Sequence, residues 1–187
     1  MKKSTMILLG VLAVIVIIIS MLGGSYNSLV TKQEQVDKEL ANIDVQLERR
    51  ADLIPNLVST VKGYTSHESE IIDKITSARE NLLKADSVSE KSTANNELTS
   101  ALNALMVVVE NYPDLKSNQN FIQLSDELAG TENRIATARR DYNDSVTSYN
   151  TSIKKFPTNI LAGMFGFEKK DYFELSEGKT DVPNVEF

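Results

Sequence analysis

Four charged residues fall on or beside apolar runs that are otherwise spaced for burial. They are Arg50 between Leu47 and Ile54, Glu110 after Val109, Glu132 between Leu128 and Ile135, and Arg139 between Ile135 and Tyr142. A charge taken out of water is costly unless a partner meets it, so two guanidiniums and two carboxylates from three separate segments read as one Arg–Glu network. Its plain role is to fix the register of the segments that carry it, and its sharper alternative is a charged pocket or a conformational switch. No catalytic set competes with it. The single histidine, His67, has no convergent partner and the chain has no cysteine, which removes structural zinc, iron–sulfur and thiol chemistry. A Glu-x-x-His pair, a Gly-x-Ser-x-Gly elbow and a phosphate-binding glycine loop are all missing from the sequence. No catalytic, cofactor-binding or metal-binding residue is therefore assigned, and His67 reads as an exposed residue in the first turn of a helix.

The elements that must position these charges follow from composition and periodicity. The 187 residues carry a net charge of −6, and all 26 acidic residues lie after an apolar N-terminal run that Lys2 and Lys3 precede. A body this acidic disfavours direct nucleic-acid binding. From Met6 to Leu22 only Gly10 and Ser20 interrupt the apolar run, and no charge occurs between Lys3 and Lys32. Roughly 17 to 21 helical residues span about 26 to 31 Å, one hydrocarbon thickness, so residues 6–22 are expected to enter a lipid bilayer as an uncleaved anchor. The positive-inside rule places the N-terminus in the cytosol and the body outside it.

Between Ser25 and Lys155 there are only two glycines (Gly63, Gly130) and two prolines (Pro55, Pro113), a scarcity that suits long helices. A first helix, Tyr26 to Lys62, carries Leu29, Val36, Leu40, Ile43, Leu47, Ile54, Val58 and Val61 at steps of three, four or seven. Pro55 falls inside that stripe and predicts a kink, with Gly63 as the stop. Thr65 with Glu68, and Ser87 with Glu90, have capping-box spacing ahead of a second helix (Ile71, Ile75, Ala78, Leu82) and a third (Leu98, Leu102, Leu105, Met106, Val109). Pro113 is expected to close the third. A fourth begins near Ser117, runs through Phe121, Leu128, Ile135, Tyr142, Val146 and Tyr149, and stops at Pro157.

The fold class expected is all-α: a transmembrane helix followed by an antiparallel four-helix bundle with long first and fourth helices. The organisation is 1–24 anchor, 25–156 bundle, and 157–187 an aromatic tail packed on the bundle or lying near the membrane. Tyr142-Asn143 and Tyr149-Asn150 recur at seven residues, which places the tyrosines in the core and lets the asparagines bond across to the first helix. An even number of helices would bring Tyr149 and Asn150 back near Tyr26. Six of the twelve aromatics follow Lys155, too many for a solvated tail.

The string Arg49-Arg50-Ala51-Asp52-Leu53-Ile54-Pro55-Asn56-Leu57-Val58, with Val61-Lys62-Gly63-Tyr64 and Glu68, resembles the LemA family of bacterial membrane proteins. The resemblance continues through Ala78-Arg79, Glu110-Asn111-Tyr112-Pro113-Asp114-Leu115-Lys116, Phe121, Leu124, Glu127-Leu128, Glu132, Ile135-Ala136, Ala138-Arg139, Tyr142-Asn143 and Tyr149-Asn150. It closes on Phe156-Pro157, Gly166-Phe167 and Val185-Glu186-Phe187. It implies one N-terminal anchor and a soluble four-helix bundle, with no assigned activity, catalytic residue or cofactor. It also implies a short N-terminus outside the cell, against the charge rule.

Three functions are compatible with these residues. The first is a non-enzymatic, membrane-tethered interaction or scaffold module with an unidentified protein partner. The second is a ligand receptor or enzyme built on Arg50, Glu110, Glu132 and Arg139. The third is a homo-oligomeric coiled-coil or membrane-shaping scaffold, suggested by two helices of roughly 37 residues, about 55 Å each.

Overall fold

The computed structural model describes residues 3–65 and 68–174, with the side chains of 3–8, 14 and 18 excepted. Lys2, His67 and the closing Val185, Glu186 and Phe187 lie outside the described residues. Among the described residues the chain is all-helical and has no strand: α1 Lys3–Lys62, α2 Ser69–Lys84, α3 Val88–Val109, α4 Pro113–Lys116, α5 Gln119–Lys154 and α6 Thr158–Phe165.

Neither Gly23-Gly24 nor Pro55 breaks α1. An interior proline costs a helix about 3 kcal/mol, and here the burial of Ala51, Ile54, Leu57 and Val61 on either side of it offsets that. The N-terminal part of α1 has an 18-residue window of mean hydropathy 2.3 with none of it buried in the protein. It belongs to the one helix among the described residues that is long and apolar enough to cross a membrane.

Capping decides where the next helices begin. Ser87 and Glu90 form the expected reciprocal box: the Glu90 N–H donates to Ser87 Oγ at 3.2 Å, and the Ser87 N–H donates to Glu90 Oε2 at 3.0 Å. The box expected at Thr65 and Glu68 does not form. Thr65 is still wound onto the end of α1, where its N–H and hydroxyl both donate to the Val61 carbonyl at 3.1 Å. Glu68 caps α2 by position alone, and its carboxylate accepts the Tyr112 hydroxyl at 2.9 Å.

Two prolines also act differently from expectation. Pro113 opens α4 from its first position and Pro157 is the N-cap of α6, because a ring that fixes φ and lacks an N–H suits a helix start. These two short helices add to the four that periodicity reveals. Asn118 starts α5, its Oδ1 accepting the Phe121 N–H at 3.1 Å while its Nδ2 donates to the Tyr64 hydroxyl at 2.9 Å.

The described residues group into two compact units, one within Met1–Glu39 and Asn143–Lys170, the other within Leu40–Tyr142 and Asp171–Phe187. In the first, the described core is Leu29, Val36, Val146, Tyr149, Leu161 and Ala162. Lys32 Nζ donates to Ser148 Oγ at 2.6 Å, which brings the end of α5 back alongside the middle of α1. Gly166 ends α6 at φ 72°, a left-handed position that favours glycine, and the following Phe167 N–H bonds back to the Ala162 carbonyl at 2.9 Å. In the second unit α2 packs on α3 across the short connection 85–87. Its core gathers Ile43, Leu47 and Ile54 of α1, Ile75 of α2, Leu98 and Leu105 of α3, and Leu128, Ile135 and Tyr142 of α5.

The Ser87 and Asp86 backbone N–H groups bonded to Glu90 hold its carboxyl below the ordinary glutamate range. A depressed carboxyl contributes stability above its unfolded pKa and loses it as the pH falls through the folded value. The melting temperature of the native chain should therefore exceed that of Glu90→Ala by most at neutral pH. The gap should close in acid below about pH 4, as thermal melts followed by circular dichroism would record; a gap independent of pH contradicts the cap's ionic character.

Candidate functional site: a buried arginine cluster

Arg50 is 3 % exposed, so its guanidinium depends on protein groups for every interaction that water would have supplied. α1 carries it inward one turn before Ile54. Its Nη1 donates to Asn95 Oδ1 at 2.6 Å and Thr99 Oγ1 at 3.0 Å, both from α3, and lies 2.6 Å from Glu132 Oε2 of α5. Arg139, two turns further along α5, places Nη2 4.0 Å from the other Glu132 oxygen. Burial pulls the Arg50 guanidinium below its ordinary pKa, Glu132 opposes that and Arg139 adds to it. One carboxylate thus stands between two guanidiniums.

The far side of Arg139 is covered by an aromatic. Its Cζ lies 5.7 Å from the centre of the buried Phe173 ring, a cation–π distance. The Phe173 segment is tied down by side chains of the same unit. Tyr142 donates to the Asp171 carbonyl at 2.8 Å and Ser92 to the Glu174 carbonyl at 2.5 Å.

Arg50, Glu132 and Arg139 are therefore brought together, and Glu110 is not. Glu110 is the C-cap of α3, just past the last residue to which the helical stripe applies, and it is exposed with Lys116 Nζ at 2.6 Å. In its place α3 contributes Asn95 and Thr99. Asn95 lies three residues before Leu98, so a polar residue in phase with the stripe was the signal for it.

A third arginine, Arg79, has a role that its spacing in the sequence does not reveal. Pro55 has no N–H, so the Ala51 carbonyl four residues earlier has no helical donor. Arg79 of α2 fills that gap, its Nε donating to the Ala51 oxygen at 2.7 Å. Tyr112, on Glu68, is held above its ordinary pKa because ionisation would sacrifice that hydrogen bond. With Tyr64 on Asn118, these contacts fasten the α1–α2 connection to the residues that join α3 to α5.

In the first unit Tyr149 is buried, and burial, then Asp37, then Glu168 raise its pKa. Asn150 was expected to reach the first helix. It instead grips the backbone of Lys170: Nδ2 donates to that carbonyl at 2.9 Å and Oδ1 accepts that N–H at 3.0 Å. An amide side chain carries N–H donors beside a carbonyl acceptor, and one of each meets the acceptor and donor of a single backbone residue.

Nothing in this arrangement leaves Arg50 open to a substrate. A groove of about 600 Å³ on the surface is lined by its neighbour Arg49 with Ile122, Asp126, Glu127, Gly130 and Arg134, and not by Arg50. Among the described residues no group of three or more His, Asp or Glu is placed to hold a metal ion.

Among the described residues, a single helix fit for a bilayer, leading into helices whose interior charges meet one another, defines an all-helical class with a candidate membrane anchor. The LemA family profile matches residues 39–187, and the chain belongs to the LemA family. It is 32 % identical over 204 aligned residues to magnetosome protein MamQ 2 of Paramagnetospirillum magneticum, covering 95 % of this chain and 75 % of that protein. Magnetosome protein MamQ of Magnetospirillum gryphiswaldense is 30 % identical over the same shares. Protein LemA of Metamycoplasma hominis is 30 % identical over 166 residues, 87 % of this chain and 75 % of the relative.

The Arg79–Ala51 bond has a direct test. Arg79→Ala should destabilise the chain by about 1 to 3 kcal/mol in urea unfolding, because it leaves a buried carbonyl without a donor. In a Pro55→Ala background, where the helix supplies its own N–H to Ala51, the same substitution should cost well under about 1 kcal/mol. Equal losses in both backgrounds would show that Arg79 does not serve the proline gap.

Proposed function

We propose that this chain is a membrane-tethered, non-enzymatic interaction module: α1 holds it in a bilayer through residues 6–22, and the helical body presents its surface to other proteins. The observation that carries the reading is the contrast along α1. Leu9, Leu12, Val16, Ile19 and Met21 are exposed, whereas Ile43, Leu47, Ile54 and Val61 of the same helix are buried in a finished core. Apolar side chains left bare over a window of this hydropathy are solvated by lipid.

The non-enzymatic part rests on Arg50, whose guanidinium is buried and whose charge is met by Glu132 within the protein. A surface that bears Arg49 and Arg134 beside Asp126 and Glu127, with the exposed Ile122 between them, has the mixed polarity of a protein contact. The relatives fit this reading, since their names refer to a magnetosome or to the family and not to a reaction. The lysine pair before the anchor favours a cytosolic N-terminus with the body outside.

A photoreactive residue at Ile122, in the full chain within intact cells, should give discrete adducts heavier than the chain. Adducts at twice its mass would make the partner a second copy. Absence of any adduct, together with a small metabolite that raises the melting temperature of the purified chain, would replace this reading with a ligand receptor. In the same cells Lys84→Cys, at a largely exposed side chain, should react with an impermeant maleimide before lysis; reaction only after lysis reverses the orientation.

A further inference from the structure

We infer that α6 is an interfacial helix, whose outward apolar ridge enters the headgroup zone of the same leaflet that receives the anchor end of α1. The inference rests on the membrane reading of residues 6–22 and concerns residues of one compact unit.

Its starting point is Tyr26. That residue lies four positions beyond Leu22, the last of the apolar run, about 6 Å further along the helix axis. This is the depth at which tyrosine rings gather in membrane proteins, between hydrocarbon and water. The Tyr26 ring meets Phe165 edge-on at 5.0 Å and Phe167 at 5.7 Å. α6 is thereby held beside α1 at the level of that interface. The left-handed turn at Gly166 makes the arrangement possible, since it lets the chain reverse so that Phe167 and Phe165 share one tyrosine.

The outer face of α6 is wrong for water. Leu161 and Ala162 are buried, but Ile160 and Met164, four residues apart on α6, are 53 % and 73 % exposed, Phe165 is 58 % exposed, and Phe156, just before the helix, is 81 % exposed. Such a ridge on a helix of eight residues has an apolar occupant, and the charges around it say which. From residue 145 to 167 there is no acidic side chain, in a protein with 26 of them, while Lys154 and Lys155 stand just before Phe156. On α1 no charge of either sign occurs between Lys3 and Lys32. An acid-free apolar ridge led by two lysines, fixed to the exit of a bilayer helix, matches the acyl–headgroup boundary of an anionic membrane.

The cysteine-free sequence allows a clean measurement. Full-length chain carrying Met164→Cys, Val16→Cys or Val107→Cys, each labelled with the fluorophore NBD, is reconstituted into vesicles of phosphatidylethanolamine and phosphatidylglycerol. The Met164 probe should emit at shorter wavelength than the Val107 probe on α3. It should be quenched more by lipids with a nitroxide near the headgroup than by lipids with one deep in the acyl chain. The Val16 probe should be quenched by the deep nitroxide. Adding Ile160→Glu should reduce quenching at Met164 with helical circular dichroism unchanged. A Met164 probe that stays in water while Val16 is quenched overturns the inference and leaves the anchor standing. A blue-shifted Met164 probe that no lipid nitroxide reaches also overturns it, because a protein surface then covers the ridge. If Val16 itself is not quenched, the anchor reading fails and takes this inference with it.

Discussion

A guanidinium with almost no contact with water constrains everything around it. Arg50 is placed at the centre of its unit by the stripe of α1, and three oxygen-bearing side chains from two other helices must converge on one of its nitrogens. A helix that slid by one turn would separate Arg50 from Glu132, Asn95 and Thr99 together and strand a buried charge. Apolar contacts alone tolerate such shifts far better, since many registers bury similar area. The cluster therefore selects one alignment of α1, α3 and α5. Phe173 is seated by the same choice, since it packs against Arg139, whose position on α5 follows from that of Glu132.

The unit's second internal constraint is a missing hydrogen bond. Pro55 leaves the Ala51 carbonyl without a donor, and Arg79 supplies one from α2. The run from Arg49 to Pro55 and the later Arg79 thus belong to one physical problem: a helix that contains both a buried cation and a proline needs other helices at fixed heights to satisfy it. At the other end of the unit Glu68, Tyr64, Tyr112 and Asn118 do similar work for the connections. Several landmarks of the family resemblance are therefore structural, each satisfying a polar group that folding would otherwise leave bare.

Much of this was legible in the sequence where a single local rule decides. Period-three-and-four stripes located the four main helices, the Ser-x-x-Glu spacing found the start of α3, and charges within stripes identified Arg50, Glu132 and Arg139. Reading failed where two rules compete. Glu110 follows the α3 stripe by number but lies beyond the helix end, so its side chain faces water and Lys116. Thr65 has the cap spacing but is claimed by the last turn of α1. Pro113 and Pro157 read as stops, yet the same ring geometry starts α4 and α6. Asn150 and Arg79 were beyond local reading, because the groups they satisfy are backbone atoms 20 and 28 residues away.

If Arg50 sets the alignment, its coupling to Glu132 should be large and should not be shared with exposed pairs. The most direct measurement is a double-mutant cycle on the full chain in detergent, with Arg50→Met, Glu132→Gln and the double variant unfolded in urea. Glu132→Gln strands a buried guanidinium and Arg50→Met leaves a half-buried carboxylate without its ion pair, so the double variant should be less destabilised than the sum of the two by about 1 to 3 kcal/mol. Additivity to within about 0.5 kcal/mol would contradict the account. It would mean that apolar packing alone aligns the helices, with the arginine a passenger among them.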